Sequence, residues 1–291
     1  MLQGRIIKTT SEFYYVDTTN GLFTCKARGI FKKDRIKPLV GDFVEIDELK
    51  DKDINGNIIK ILPRKNELKR PTVSNVDLAV LVVAFTNPEP KFSIIDKNLI
   101  KLSDSGIDTI LCFNKSDLAS DAKISDVKDI YKDSGVEMIF TNTVINGELE
   151  ELKLRLKGKT VLFTGASGVG KSSIINAVTG KHMETGELSK KTSRGKQTTR
   201  HYEMVLFDKD TYLLDSPGFT AINFDVDYYF LKEYYNDFLK FGSKCKYGNK
   251  CLHLSEPDCE IKKMVEKCEI NEIRYESYLE ILNELKNQRK G

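Results

Sequence analysis

This 291-residue chain has no apolar run long enough to cross a bilayer. Its longest, Leu78–Phe85, falls far short of the roughly 20 residues a spanning helix needs. The N-terminus lacks the apolar stretch of a secretory signal, so the expectation is a cytoplasmic protein with no membrane partner. Six cysteines without such a signal argue against a disulfide knot. Histidine is scarce, three in all, so each one has to be placed. A net charge of only +3 conceals an asymmetry: residues 1–70 carry fifteen Lys/Arg against ten Asp/Glu, a net of +5, and the remainder is −2. A basic front end suits a domain that meets phosphates. The length allows two or three hydrophobic cores.

What is present is first a phosphate-binding pattern, GASGVGKS, at Gly165–Ser172. It lies between a predicted buried strand, Lys159–Gly165, and a helix over Ser172–Val178 that Gly180 stops. Backbone N–H groups of such a turn cradle phosphates, Lys171 reaches the β/γ-phosphates and the Ser172 hydroxyl holds Mg²⁺. The contacts expected here are Gly165, Ala166, Ser167, Gly168, Val169, Gly170, Lys171, Ser172 and Ser173. Upstream, Asn114-Lys115-Ser116-Asp117 ends the apolar run Thr109–Phe113, where open α/β sheets bind ligands. Asp117 can accept from guanine N1–H and its exocyclic amine, a donor pair that adenine lacks. Asn114 and Lys115 brace the phosphate loop and the base, and Thr141 and Asn142 are counted with the nucleotide contacts. A third element, Asp215-Ser-Pro-Gly218, follows the strand Thr211–Leu214, which pairs with His201–Phe207 across an Asp-Lys-Asp turn. Asp215 is expected at Mg²⁺ and the Gly218 amide at the γ-phosphate. Between these lies the polar segment Thr192–Tyr202, where Thr198 is expected at the nucleotide and Thr199 at Mg²⁺. Together the elements imply a GTPase.

The flanks read independently. Five short strands are predicted over Gln3–Lys8, Glu12–Asp17, Leu22–Ala27, Asp42–Leu49 and Asn57–Leu62, as in a Greek-key OB barrel. Lys26, Arg28, Lys32, Lys33, Arg35 and Lys37 cluster around one loop and are expected to contact RNA. Phe13, Tyr14, Tyr15, Phe23 and Phe31 interleave with them, and most are expected in the barrel core. A basic link, Arg64–Asn75, leads to Asp77–Phe85, a central strand of a parallel sheet. Near the C-terminus Cys245, Cys251, His253 and Cys259 can close a tetrahedral structural zinc site. Cys25 and Cys112 are expected in the core, and Cys268 outside the metal cluster. Beyond them Tyr275, Tyr278, Leu279, Leu282 and Leu285 share one helix face, expected to pack inward.

A guanine motif upstream of the phosphate loop, then Thr-Thr-Arg and DSPG, resembles a circularly permuted GTPase. With CLHLSEPDC, the chain resembles the small ribosomal subunit-dependent GTPase A family (RsgA, also called YjeQ or YloQ) over nearly its whole length. The resemblance implies an OB-fold barrel, a permuted α/β phosphate-loop GTPase domain and a C-terminal helical zinc domain, divided here at 1–68, 69–224 and 225–291. It implies GTP hydrolysis to GDP and phosphate on the small ribosomal subunit during late maturation, with rRNA as partner, a monomer, and no DNA. Two departures stand out. Five residues separate Cys245 from Cys251 where the family pattern has four, making Cys245 the weakest of the zinc ligands, with Gly248 able to absorb the extra residue. Where the family places a histidine before the two threonines, this chain has Gln197. Phe219 follows the DSPG glycine and cannot orient water, so Gln197 is the first candidate for that task and His201 the second. Contacts at Gly218 are expected to bias the orientation of the C-terminal domain. Two other readings stay open: a protein that binds GTP only as a structural ligand, and a GTP-binding RNA-interaction protein of translation or RNA modification.

Overall fold

The computed structural model describes residues 1–28, 31, 36–50, 54–142, 149–180, 203–216 and 226–288. Its first five strands, β1 (Leu2–Thr9), β2 (Tyr14–Thr18), β3 (Gly21–Ala27), β4 (Phe43–Glu48) and β5 (Gly56–Ile61), close into a barrel in the order β1-β2-β3-β5-β4. Alternation produces the inside: Val44 and Ile46 are fully buried, while Phe43 between turn and strand faces out. Of the aromatics expected in the core, Phe31 is buried there and Tyr14 and Phe23 pack partly buried against it, while Phe13 and Tyr15 are partly exposed. Cys25, valines and isoleucines fill the rest of so narrow a barrel.

The segment Arg64–Asn75, expected as a link, folds into a hairpin of β6 (Glu67–Lys69) and β7 (Thr72–Ser74). Leu68 and Val73 plug the barrel core. Asp42 is the knot that holds it: fully buried, it accepts from Arg64 Nε at 2.7 Å, Arg64 Nη2 at 2.8 Å, Ser74 Oγ at 2.6 Å and the Leu39 amide at 2.8 Å. A buried carboxylate persists because each oxygen has a donor and a cation lies beside it.

Six strands then form one sheet in the order β10-β9-β8-β11-β13-β12, namely β8 (Leu78–Ala84), β9 (Asp108–Asn114), β10 (Glu137–Thr141), β11 (Thr160–Thr164), β12 (Met204–Asp208) and β13 (Thr211–Asp215). All pairs are parallel except β12 with β13. Every residue of β8 is buried, as its unbroken apolar sequence requires for a strand covered on both faces. Helices α1 (Phe92–Asp104) and α2 (Asp121–Tyr131) cover one face, α3 (Glu150–Leu156) and α4 (Lys171–Thr179) the other. The barrel takes the remaining place on the first face, its core running into Ala79, Leu162, Met204 and Leu214. Arg5 seals that seam, its guanidinium between the Phe43 and Tyr212 rings and Nη2 donating to Thr160 Oγ1 at 2.7 Å.

The chain ends in α5 (Asn236–Gly242), α6 (Glu260–Glu266) and α7 (Glu272–Gln288), which close a third core with Tyr235, Tyr278, Ile281 and Leu282 at its centre. Of the predicted inward face, Tyr278, Leu282 and Leu285 are buried, and Tyr275 and Leu279 pack half-buried against them. Among the described residues no helix is long and apolar enough to cross a membrane.

Candidate nucleotide site and metal centre

The sheet order reverses between β8 and β11: the chain adds β9 and β10 on one side, then returns to place β11 on the other. A crevice opens at the carboxyl ends of parallel strands at such a point. The glycine-rich turn leaves β11 there and enters α4 at Lys171, and Gly180 ends that helix in the left-handed conformation, its N–H on the Asn176 carbonyl. Two glycines are obligatory. Gly165 has φ 138° and a Cβ there would lie 2.1 Å from the Val82 carbonyl oxygen; at Gly170, φ 98°, it would lie 2.2 Å from Asn114 Nδ2. Lys171 is buried and curls over the turn, its Nζ donating to the carbonyls of Gly165 at 3.0 Å and Ala166 at 2.8 Å. Burial pushes its pKa down, with Asp215 opposing.

Ser172 Oγ donates to Asp215 Oδ2 at 2.8 Å across the crevice. Burial raises the Asp215 carboxyl, against the pull of Ser172 and Lys171. Its other oxygen, Oδ1, is buried without a partner among the described residues. A hydroxyl and a carboxylate already in contact, with one carboxylate oxygen unspent, fit an oxygen-loving dication.

The Asn114–Asp117 motif begins on the last residue of β9. Asn114 is buried: Nδ2 donates to the Val169 carbonyl at 2.9 Å and Oδ1 accepts from Thr141 Oγ1 at 3.1 Å. The two motifs are thus fastened to each other. Thr141, fully buried, also lies 3.3 Å from Cys112 Sγ, so its hydroxyl works on Asn114 rather than at a surface. Lys115 adopts φ 61°, and its Nζ donates to the carbonyls of Gly168 at 3.0 Å and Asn87 at 2.6 Å. Ser116 opens a single 3₁₀ turn in which Asp117 is exposed. Asn142 is buried beside Thr141.

In the C-terminal core Cys245, Cys251, His253 and Cys259 are all buried, their ligand atoms within 4.8 Å of one another. Cys259 Sγ lies 3.8 Å from Cys251 Sγ, 4.0 Å from Cys245 Sγ and 3.4 Å from His253 Nδ1. A tetrahedron of zinc–sulfur bonds has edges of about 3.8 Å, so the set fits zinc, with His253 offering Nδ1. Cys245 stands in the cluster with the other three, and Gly248, between it and Cys251, turns at φ 49°. Burial pushes His253 down to about 4, keeping the imidazole neutral as a ligand must be, and pushes the Cys251 thiol up to about 12, which a dication reverses. The knuckle is braced from behind. Glu256 accepts from the amides of Leu252 and Leu254, both at 2.8 Å, Tyr275 donates to the His253 carbonyl at 2.7 Å and Tyr278 to that of Leu252 at 2.8 Å. Cys268 is exposed and apart.

Residues 3–58 match the model of the RsgA N-terminal domain and residues 61–225 that of the RsgA GTPase. The chain belongs to the RsgA GTPase family. Its relatives include the protein named small ribosomal subunit biogenesis GTPase RsgA of Caldanaerobacter subterraneus subsp. tengcongensis, 41% identical over 99% of this chain and 97% of that one. The protein of the same name from Alkaliphilus metalliredigens is 40% identical over the full length of both. Among solved structures, YjeQ from Thermotoga maritima superposes with a TM-score of 0.80 at 34% identity, covering 98% of each chain. YloQ, described as a circularly permuted GTPase, gives 0.78 at 32% identity, covering 99% of this chain and 96% of that one.

For this RsgA-family chain, Gln197, Thr198, Thr199, His201 and Gly218 lie outside the described residues, as do Lys32, Lys33 and Arg35. Lys26, Arg28 and Lys37 are exposed on the barrel, Arg28 paired with Asp47 and Lys26 set over the Phe13 ring. The site also contains residues that sequence reasoning missed. The carbonyls of Thr86 and Asn87 that receive Lys115, and the thiol of Cys112 behind Thr141, carry no motif. The only signal available was the Asn-Pro-Glu-Pro turn at the end of β8.

Proposed function

We propose that this protein is a GTPase of small ribosomal subunit biogenesis, hydrolysing GTP to GDP and phosphate on the ribosomal particle. The observation that carries the reading is the fastening of a guanine-type motif to a phosphate loop, through Asn114 and Val169, at the switch point of the sheet. Asp117 reads the base, with Lys115 against it and Asn114, Thr141 and Asn142 behind. Amides of Gly165–Ser173 receive the phosphates, Lys171 leaves its loop carbonyls for the β/γ-phosphates, and Ser172 and Asp215 hold Mg²⁺ with Thr199. The Gly218 amide meets the γ-phosphate, and Gln197 or His201 orients the attacking water. Zinc bound by Cys245, Cys251, His253 and Cys259 is structural. The barrel, through Lys26, Arg28, Lys32, Lys33, Arg35 and Lys37, contacts rRNA. The reading divides the chain at 1–68, 69–224 and 225–291, and takes the protein as a cytoplasmic monomer without a DNA partner.

The test is GTP turnover by the purified protein alone, with small subunits, and with large subunits as control. Stimulation by small subunits alone is the expected result. Tight GTP binding without that stimulation would overturn the assembly role and leave a switch with another partner.

A further inference from the structure

Several buried charged and hydroxyl groups that the nucleotide site does not use converge on one seam. Asp96 on α1 is 1% exposed and accepts four hydrogen bonds, from Arg274 Nη1, the Ser277 hydroxyl, the Tyr131 hydroxyl at 3.1 Å and the Tyr235 hydroxyl at 3.3 Å. Arg274, 4% exposed, also donates through Nε to Asp237 Oδ2 at 3.0 Å, and its guanidinium lies over the Tyr235 and Tyr131 rings at 4.5 and 5.1 Å. Two ion pairs extend the seam, an exposed one of Lys91 with Glu280 at 3.0 Å and a part-buried one of Lys97 with Glu284. Arg274, Ser277, Glu280 and Glu284 all belong to α7, so the last helix of the chain is strapped along α1 by a polar stripe. An apolar helix stripe would hold α7 on any smooth surface; a buried arginine fixed by two carboxylates holds it in one register.

What α1 does next gives the seam its meaning. The helix starts at Phe92, and the five preceding residues run back through Pro90 and Pro88 to Asn87. Two prolines leave that segment little freedom in φ. At its far end the Asn87 carbonyl receives Lys115 Nζ at 2.6 Å, the same ammonium that bonds the Gly168 carbonyl of the phosphate loop. Pro88 lies against Gly168, within 3.9 Å of where its Cβ would be. A displacement of α1 along its axis therefore reaches Lys115 through a short, stiff arm.

We infer that Arg274 is a positioning residue for guanine-nucleotide binding, acting from the C-terminal helix through Asp96, α1 and the Asn87 carbonyl on Lys115. The inference rests on the guanine-nucleotide reading above and deepens it. The C-terminal domain and the base-recognition half form one mechanical unit, and a partner that pulls on α7 changes nucleotide affinity. By reciprocity, bound nucleotide changes the affinity for that partner by the same factor. This route enters at the base side of the nucleotide, independent of the γ-phosphate contact at Gly218.

The experiment is titration of the full chain with mant-GDP, with melting temperature and zinc content as controls. Arg274→Met is expected to raise Kd about tenfold, within the usual range of coupling between sites. In a Lys115→Ala background the same substitution is expected to add nothing, because the route ends on that lysine; a purely structural loss would multiply in full. Because Arg274→Met strands two buried carboxylates, Glu280→Lys gives a second arm on an exposed pair. It is expected to weaken binding about twofold to fivefold, with recovery in the charge-swapped Lys91→Glu/Glu280→Lys protein. Should Arg274→Met fail to fold, the Glu280→Lys result decides alone. Unchanged Kd in the folded variants, or full multiplication with Lys115→Ala, would overturn the inference. Failure of the unsubstituted protein to bind mant-GDP would overturn the guanine-nucleotide reading itself.

Discussion

Asn114 shows how one side chain can serve two motifs at once. Its amide has a donor end and an acceptor end, and the surroundings use both: the Val169 carbonyl accepts from Nδ2, and the Thr141 hydroxyl donates to Oδ1. With Thr141 donating, its lone pairs face the Cys112 thiol, so the orientation of the amide is set from the sheet outward. Thr141→Val keeps the volume and removes the donor, leaving Asn114 Oδ1 buried and unmade, at a cost of about 1–3 kcal/mol. We expect mant-GDP to bind about tenfold more weakly to that variant, with the melting temperature falling by roughly 2–4 °C for each kcal/mol lost. Equal affinity in both proteins would mean that the threonine does not orient the asparagine. Asp117 differs in kind, because it is exposed and the role proposed for it rests on the motif alone.

Among the elements, the β6–β7 hairpin departs furthest from expectation. Residues 64–75 read as a basic, proline-punctuated connection, and charge does dominate their sequence. The fold converts that charge into an anchor: Arg64 turns inward to Asp42, and Leu68 and Val73 enter the barrel core. The hydrogen bonds that Arg64 donates to Asp42 hold its guanidinium above its ordinary pKa against the cost of burial. Arg64→Met leaves Asp42 with no cation, and removing one partner of a buried pair costs about 3–5 kcal/mol. The urea midpoint should fall accordingly. A companion Asp42→Asn/Arg64→Met protein should recover much of the loss, since no buried charge then remains. No recovery would place the stabilisation in Arg64 packing instead.

At the scale of the whole molecule, three cores meet at two seams of different chemistry. The barrel joins the sheet by a continuous apolar core with one arginine between two rings, and the C-terminal helices join it by buried charges. The third core has the four metal-ligating side chains inside it, so the metal and the packing depend on each other. Chelation is expected to expose that core selectively. With zinc bound, a thiol reagent should modify Cys268 quickly; after metal removal Cys245, Cys251 and Cys259 should join it, while Cys25 and Cys112 stay protected in the barrel and sheet. Rapid reaction of Cys245 in the zinc-loaded protein would exclude it as a ligand, which the spacing alone left open.

The elements legible in the chain alone are those whose signals are local: the period-2 strands of the barrel, the unbroken apolar β8, the glycine-rich phosphate turn, and the motif order that marks the permutation. Contiguous residues carry those signals, because backbone sterics and alternation act over a few positions. Tertiary structure decided the rest, which depends on pairs with no local signature. Thr141 meets Asn114 across 27 positions, Ser74 meets Asp42 across 32, and Arg274 meets Asp96 across 178. The chain gives each such residue an ordinary neighbourhood, and only closure of the cores brings donor to acceptor. A buried polar group must find its partner wherever the fold places one, so the choice of partner belongs to the packed molecule.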